Sequence, residues 1–312
     1  MVPQPQSAAN NALFLSPRSA STHACAHRIE RFARDETATI LLQGESGTGK
    51  TTIARQVHAL SPRRTGPLQH VVLSALDDGV AGSELFGHVA GAFTDARSTR
   101  AGSFVSANNG TLFLDEIGKA SPSIQAKLLH ALEYGEIRPI GSDRTVRVNA
   151  RIIAATNVDL MELVADGAFL PDLYARLATF RVVLPPLRER RADIPGLIDE
   201  SLRRHARAAG YAEVPQIDPP LMDSLRRASW PNNLRQLDGT IHRLLLEADG
   251  APCITIGHCT DELAYLGDER RSASSITRSQ ADLAIRASGS ISEAARRLGV
   301  DRKTLRRIQR DG

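Results

Sequence analysis

The sequence predicts an α/β fold built on a parallel sheet, and three apolar stretches predict it. Ile40, Leu41 and Leu42 lead into Gly44-Glu45-Ser46-Gly47-Thr48-Gly49-Lys50-Thr51, after which Thr52, Ile53, Ala54, Arg55, Gln56 and Val57 read as a helix. Thr111-Leu112-Phe113-Leu114 is a second apolar run, and it ends in two acids, Asp115 and Glu116. Arg151-Ile152-Ile153-Ala154-Ala155-Thr156-Asn157 is a third, ending in polar groups. Continuous apolar runs are what strands covered on both faces require, and ligands of such sheets gather at the carboxyl ends of the strands.

The first stretch fits G-x-x-x-x-G-K-[ST], and strand, loop and helix follow in the order that a phosphate-binding loop needs. That order sets it apart from a glycine-rich turn with a chance lysine. Glycines let the backbone curl so that its N–H groups face phosphate oxygens, and the helix that follows offers its positive dipole end. The nucleotide cradle is therefore expected to run through Gly44, Glu45, Ser46, Gly47, Thr48, Gly49, Lys50, Thr51 and Thr52. Lys50 would reach the β- and γ-phosphates of ATP, and the Thr51 hydroxyl would ligand a magnesium ion (Mg2+). Asp115, at a strand end, is expected to meet that magnesium, and Glu116 to orient and activate the attacking water. Asn157 has two readings, a hydrogen bond to the water or γ-phosphate, or a satisfied turn asparagine.

The rest of the chain follows in order. Residues 1–13 are rich in Pro, Gln and Asn and are expected to be disordered. Ser19 to Ala33 reads as a helix leading to the first strand, and Val71, Val72 and Leu73 as a second short strand. In Gly91-Ala92-Phe93-Thr94-Asp95-Ala96 small residues surround one aromatic, a pattern for an exposed loop. Phe93 there either meets a partner or tucks under its own loop. Ser123 to Tyr134 has an amphipathic helical pattern, Arg181 to Leu184 reads as a last strand, and Pro185-Pro186 closes the sheet domain. From Ile194 the periods are helical, with a break from Gly210 to Pro220 and a new helix starting at Trp230 to Arg235. Residues 267–275 are small and polar, the composition of a linker.

Length and charge bound the rest. A chain of 312 residues with 42% hydrophobic content has room for two or three domains. The net charge is only +4, but residues 296–310 carry Arg296, Arg297, Arg302, Lys303, Arg306, Arg307 and Arg310 against the single acid Asp301, which suggests an anionic partner, nucleic acid first. Cys25, Cys253 and Cys259 form no CxxC pair, so neither a disulfide framework nor a zinc site is indicated, and a reduced, cytoplasmic setting fits. No run is long and apolar enough to span a membrane, and the first residues do not read as a signal peptide. The stretch ahead of the phosphate loop leaves no room for a sensory domain, which points to control by a separate protein or by expression level.

The motifs GESGTGKT, SELFGH, GAFTDA, GTLFLDEI, AATN, DLYARL, LPPLRERRADI and WPNNLRQL together resemble the bacterial enhancer-binding proteins, AAA+ ATPases that activate sigma-54 RNA polymerase, over about residues 14–310. The resemblance implies an AAA+ ATPase domain over 14–187, a helical lid over 188–266 and a Fis-like helix-turn-helix over 276–312. It also implies ring homo-oligomers, usually hexamers, with ATP bound between subunits. Position by position it gives Lys50 and Thr51 the phosphate-loop roles, Asp115 and Glu116 the magnesium-binding and catalytic roles, Asn157 the sensor I role, Arg176 the role of a trans-acting arginine and Arg235 that of the sensor II arginine. Residues Gly91, Ala92, Phe93, Thr94, Asp95 and Ala96 match the loop that touches sigma-54. Three positions depart from the family. Asp95 stands where a glycine is usual, and Leu170 where the first of two trans arginines is usual. The asparagine that ends the second strand is absent, with Ser74 the nearest polar candidate. The implied function is an ATP-hydrolysing, DNA-binding regulator that remodels the sigma-54 holoenzyme. Asp95 and Leu170 favour instead a DNA-binding regulator whose ATPase domain serves assembly or sensing, or a hetero-oligomer whose partner supplies the missing parts.

In the last segment Ser290 or Ser292 can cap the first helix of the turn motif, Ala294, Ala295 and Leu298 face inward, and Gly299 allows the tight turn. Arg302, Lys303, Thr304, Arg306 and Arg307 are then free to meet double-stranded DNA. Deleting residues 276–312 should abolish specific DNA binding, and Arg302→Ala should lower the slope of log affinity against log salt by about one unit. A footprint that survives the deletion overturns the assignment.

Overall fold

The computed structural model describes residues 18–75, 78–94, 96–258, 285 and 294. Asp95, the stretch 1–13, the linker 267–275 and the segment with Arg302, Lys303, Thr304, Arg306 and Arg307 lie outside them.

The described chain runs α1 (Ala20–Ala33), β1 (Ile40–Gln43), α2 (Lys50–Leu60), β2 (Leu68–Val72), α3 (Asp78–Phe86), β3 (Gly87–His88), β4 (Arg100–Ala101), α4 (Ser103–Ser106) and β5 (Thr111–Asp115). It continues with α5 (Pro122–Tyr134), β6 (Glu136–Ile137), β7 (Val146–Arg147), β8 (Arg151–Thr156), α6 (Leu160–Ala165), α7 (Pro171–Leu177) and β9 (Phe180–Val183). Then follow α8 (Ile194–Ala208), β10 (Gln216–Ile217), α9 (Pro219–Arg227), α10 (Asn233–Glu247) and β11 (Cys253–Ile254). Two compact units result: the described residues up to Glu200 together with Asn232–Gln236, and Ser201–Pro231 with Leu237 onward.

In the first unit five strands form one sheet in the order β2-β5-β8-β1-β9, and every neighbouring pair is parallel. Side chains alternate across it because successive Cβ atoms of a strand point to opposite faces. Leu41, Leu112, Leu114, Ile152 and Ala154 join one core with Leu85 and Phe86 of α3, Ile124 and Leu128 of α5 and Leu173 and Leu177 of α7. Ile40, Leu42, Phe113, Ile153, Ala155 and Val182 join the other with Ile29 of α1 and Ile53, Ala54 and Val57 of α2. All six residues of β8 are buried, as a central strand of a three-layer sandwich must be.

The second strand ends one residue earlier than Val71 to Leu73 would suggest, because Leu73 opens a 3-10 turn over Leu73–Ala75. Helix α3 and the two-residue hairpin β6–β7 carry no clear sequence signal, since α3 contains Gly79 and Gly82 and the hairpin strands show no period.

The start of α1 is fastened to a short turn beyond β9. Asp193 Oδ1 accepts the N–H groups of Arg18 and Ser19, both at 2.7 Å, and its Oδ2 accepts the Thr22 hydroxyl at 2.8 Å. At the other end of α1, Arg151 is 1% exposed and donates to the carbonyls of Ala33 and Phe32 at 2.9 and 2.7 Å. Those carbonyls belong to the last turn of the helix, where intrahelical donors run out; the Phe32 carbonyl also accepts the Asp35 N–H at 3.2 Å.

The second unit holds α9, most of α10 and the parallel pair β10–β11. Trp230 is fully buried there and donates its indole N–H to Leu225 O at 2.9 Å. Asp238 gathers the Ser201 hydroxyl, Arg204 and His205 on one carboxylate oxygen.

Arg151→Ala should cost about 3 kcal/mol of stability, because it empties a fully buried site and leaves the buried Ala33 carbonyl without its charged donor, while the Phe32 carbonyl keeps the Asp35 N–H. Chemical denaturation of the variant checks this; a loss well under 1 kcal/mol would show that water replaces the guanidinium.

Candidate functional site

The carboxyl ends of β1, β5 and β8 bring the candidate residues together. The phosphate loop leaves β1, and its first N–H, from Gly44, donates to Thr156 O at the end of β8 at 3.2 Å. Gly44, Gly47 and Gly49 sit at φ +157°, +78° and +106°, and an added Cβ at Gly47 would lie 2.2 Å from Asn232 O. At Gly47 glycine is thus required by both conformation and close approach. Gly49 caps α2, whose first residues are Lys50 and Thr51, so the helix N-terminus opens onto the loop.

Lys50 is 8% exposed and donates its ammonium to Gly44 O and Glu45 O at 2.7 and 2.9 Å. Burial pulls its pKa below the usual lysine value, against the raising effect of Asp115 and Glu116, and Arg235 adds to the lowering. Asp115, Glu116 and Arg235 thus all lie near enough to Lys50 to act on its charge.

The Thr51 hydroxyl donates to Asp115 Oδ2 at 3.3 Å, and Asp115 Oδ1 accepts the Glu116 N–H at 3.0 Å. Glu116 has φ +57°, a left-handed conformation uncommon for a residue with a side chain, and it sets the turn into the next 3-10 segment. Thr51 and Asp115 offer two oxygen ligands close together, the donor set a hard divalent cation such as magnesium takes. Asn157 is exposed directly after β8. Arg235 donates to Ser46 Oγ at 3.0 Å, which puts it at the mouth of the loop. Glu45 accepts Arg188 through both nitrogens, at 2.9 and 2.7 Å. The sequence assigned Arg188 no role.

Three candidates lie apart from this cluster. Arg176, on α7, has a side chain 57% exposed and stands 3.6 Å from the Glu133 carboxylate. Leu170 caps α7, receives a hydrogen bond on no side-chain atom, donates its backbone N–H to Gln125 Oε1 at 2.8 Å and packs partly buried against the core. Phe93 is 46% exposed, and its ring meets His88 of β3 edge-on at 4.9 Å, so it is both offered to solvent and leaned on the strand ahead of its loop. The Gly91 N–H donates to Ala96 O at 2.8 Å and closes that loop, with Ala92 and Thr94 between them.

Ser74 is exposed in the turn after β2. The second-strand side chain that reaches the acids is His70, which sequence reasoning passed over. Its ring stacks on Phe113 at 4.6 Å, and its Nε2 lies 3.5 Å from Asp115 Oδ2. Burial pushes the Asp115 carboxyl up, but His70, the Glu116 N–H and Lys50 outweigh it and hold it below the usual carboxylate value.

The family model described as Sigma-54 interaction domain matches residues 15–183, and the one described as AAA+ ATPase lid domain matches residues 188–276. The chain belongs to the sigma-54 interaction family. Among its relatives is the transcriptional regulatory protein ZraR of Klebsiella oxytoca, 42% identical over 284 residues, which are 86% of this chain and 62% of that protein. The anaerobic nitric oxide reductase transcription regulator NorR of Aeromonas hydrophila is 48% identical over 217 residues, 70% of this chain and 42% of NorR. The chain thus spans about half the length of these curated relatives. Among solved structures, NtrX from Brucella abortus in complex with ATP superposes with a TM-score of 0.71 at 30% identity, covering 95% of this chain and 68% of that one. Its complex with ADP gives 0.72 at 29% identity, covering 96% and 69%. The expected AAA+ sandwich of a parallel sheet followed by a helical lid is thus the fold of this sigma-54 interaction family member. Among the described residues no helix is long and apolar enough to cross a membrane.

His70→Ala should raise the Asp115 pKa, read from the carboxyl carbon by NMR titration. A carboxylate held low stabilises the fold above its unfolded value and loses that stabilisation as pH falls through the folded value. The variant should therefore lose it at a higher pH than the native chain. An unchanged Asp115 titration would remove His70 from the causes.

Proposed function

We propose that the chain is an ATP-hydrolysing, DNA-binding regulator that remodels sigma-54 RNA polymerase. The observation that carries the ATP-hydrolysing part of this reading is the Thr51 hydroxyl 3.3 Å from the Asp115 carboxylate, beside the buried Lys50 and the glycine loop; the remodelling and DNA-binding parts rest on the family and on the basic segment of the sequence. The NtrX neighbours solved with ATP and ADP support it.

In this reading the loop N–H groups and Lys50 bind the phosphates, and Arg235 adds a positive charge at the loop's mouth. Thr51 and Asp115 would hold a magnesium ion, which would supply positive charge to offset the phosphate oxygens. Glu116 accepts a proton from the attacking water, and Asn157 orients that water. Arg176 is exposed on α7 and serves a neighbouring subunit, where an arginine offsets charge growing on the transferred phosphoryl group. Hydrolysis then requires assembly, in a homo-oligomer such as a hexamer. The loop Gly91 to Ala96 carries Phe93 toward sigma-54, and the basic segment from Arg302 to Arg307 binds upstream DNA.

One observation favours a second reading. Leu170 is built into the core edge by its packing and by Gln125, so the position of the first trans arginine serves the fold. A ring of this chain alone would then have one such arginine per interface. Assembly or sensing without remodelling, or a partner subunit that supplies the other arginine, follows from that.

The test compares the native chain with Glu116→Gln and Asp95→Gly, scoring ATP turnover and sigma-54 open complexes on one promoter. Glu116→Gln should bind ATP and lose about a hundredfold or more in turnover, as expected for removal of a general base. Asp95→Gly should raise open-complex formation and change turnover little, because glycine restores backbone freedom and removes a charge from the loop. Turnover unchanged in Glu116→Gln overturns its role, and ATP turnover without open complexes in either active protein selects the second reading.

A further inference from the structure

Every carbonyl of the phosphate loop from Gly44 to Gly49 is taken. Lys50 holds Gly44 O and Glu45 O. Asn233 Nδ2 donates to Ser46 O at 3.0 Å, the Leu234 N–H to Gly47 O at 2.9 Å, and Arg190 Nη2 to Thr48 O at 2.9 Å. Gly49 O accepts the Ile53 N–H at 3.0 Å as α2 begins. In a trans peptide the C=O of one residue and the N–H of the next point in opposite directions. Holding the Ser46 and Thr48 carbonyls from behind therefore turns the Gly47 and Gly49 N–H groups the other way, toward the mouth of the loop.

Asn233 is central to that arrangement. It is fully buried, at φ +52°, a conformation asparagine tolerates better than most residues. Its Oδ1 accepts the Leu187 N–H at 2.7 Å, and its Nδ2 donates both to Ser46 O and, at 3.2 Å, to Glu45 Oε2. Its left-handed turn also aims the next N–H, that of Leu234, at Gly47 O. One residue further on, Arg235 reaches Ser46 Oγ. Residues 232–236 belong to the same compact unit as the loop, so this is a feature of the nucleotide-binding unit itself.

We propose that Asn233 is a positioning residue for nucleotide binding: its side-chain amide fixes the phosphate loop from behind, so that the Gly47 and Gly49 amides and Arg235 converge on the phosphates. The inference rests on the reading of this loop as a nucleotide site. It acts on binding and not on the cleavage step, because the loop amides meet the phosphates before and during reaction alike, so a loss should fall on KM more than on kcat.

Asn233→Asp keeps the acceptor for Leu187 and the tolerance for positive φ. It deletes both donated bonds and sets a carboxylate against Ser46 O and the Glu45 carboxylate. In the full chain, fluorescent ATP and ADP analogues should both bind about tenfold or more weakly, as loss of two hydrogen bonds at a buried site implies. Adding Glu45→Gln returns a donor across from the new carboxylate and should recover part of the affinity, whereas Glu45→Gln alone should not strengthen binding. A role in stability alone would lower the thermal midpoint without that recovery. If Asn233→Asp does not fold, Asn233→Gly is read in its place, since glycine takes φ +52° freely, and the same weakening is expected.

Native-like affinity for both nucleotides in a folded Asn233 variant overturns the inference and leaves the nucleotide site standing. Failure of the native chain itself to bind either analogue, with Lys50→Ala as the reference for no binding, overturns the site and the inference with it.

Discussion

The orientation of a few peptide groups in the phosphate loop governs the candidate site. A loop that presents N–H groups to an anion must turn its carbonyls away, and buried carbonyls without partners cost free energy. In this chain the partners come from three directions: Lys50 from the helix that follows, Arg190 from the turn beyond β9, and Asn233 and Leu234 from the start of α10. Arg190 is buried at 1% exposure, which pushes its pKa down to about 10, so it still carries its charge at neutral pH. The loop's shape is therefore imposed partly by the helix that follows it and partly by residues far from it in sequence, Arg190, Asn233 and Leu234, while the glycines permit that shape.

The sheet supplies the second constraint. Parallel strands end on the same edge, so β1, β5 and β8 deliver the loop, the acid pair and Asn157 to one rim. Asp115 then sits between opposing influences. Burial disfavours its charge, while His70, the Glu116 N–H and Lys50 favour it, and the favouring groups win. The left-handed backbone at Glu116 turns the chain off the strand line directly after β5.

The parts legible in the sequence are those whose signal is local. The apolar runs of β1, β5 and β8 and the helices α1, α2 and α5 are readable because each buries a continuous face of its own residues. The loop, Asp115 and Glu116 are readable because their chemistry lies in adjacent positions. His70, Arg188 and Arg190 were not, because each acts on a partner whose nearness only the folded sheet creates. Asn233 lay inside a quoted motif in which only Arg235 received a role. Leu170 was legible as a departure, while its reason, packing against the core and a bond to Gln125, was not. The short helix α3 and the two-residue strands escaped because tertiary contacts, and no periodic pattern, hold them.

The Asp193 cap ties the start of α1 to the turn that carries Arg190. The Arg18 N–H is tied to Asp193, and three residues before Asp193 stands Arg190, which grips the Thr48 carbonyl. The start of α1 and the back of the phosphate loop are thus joined through two hydrogen-bonded anchors and one short turn, so the helix that packs beside α2 and the loop that precedes α2 share a single support.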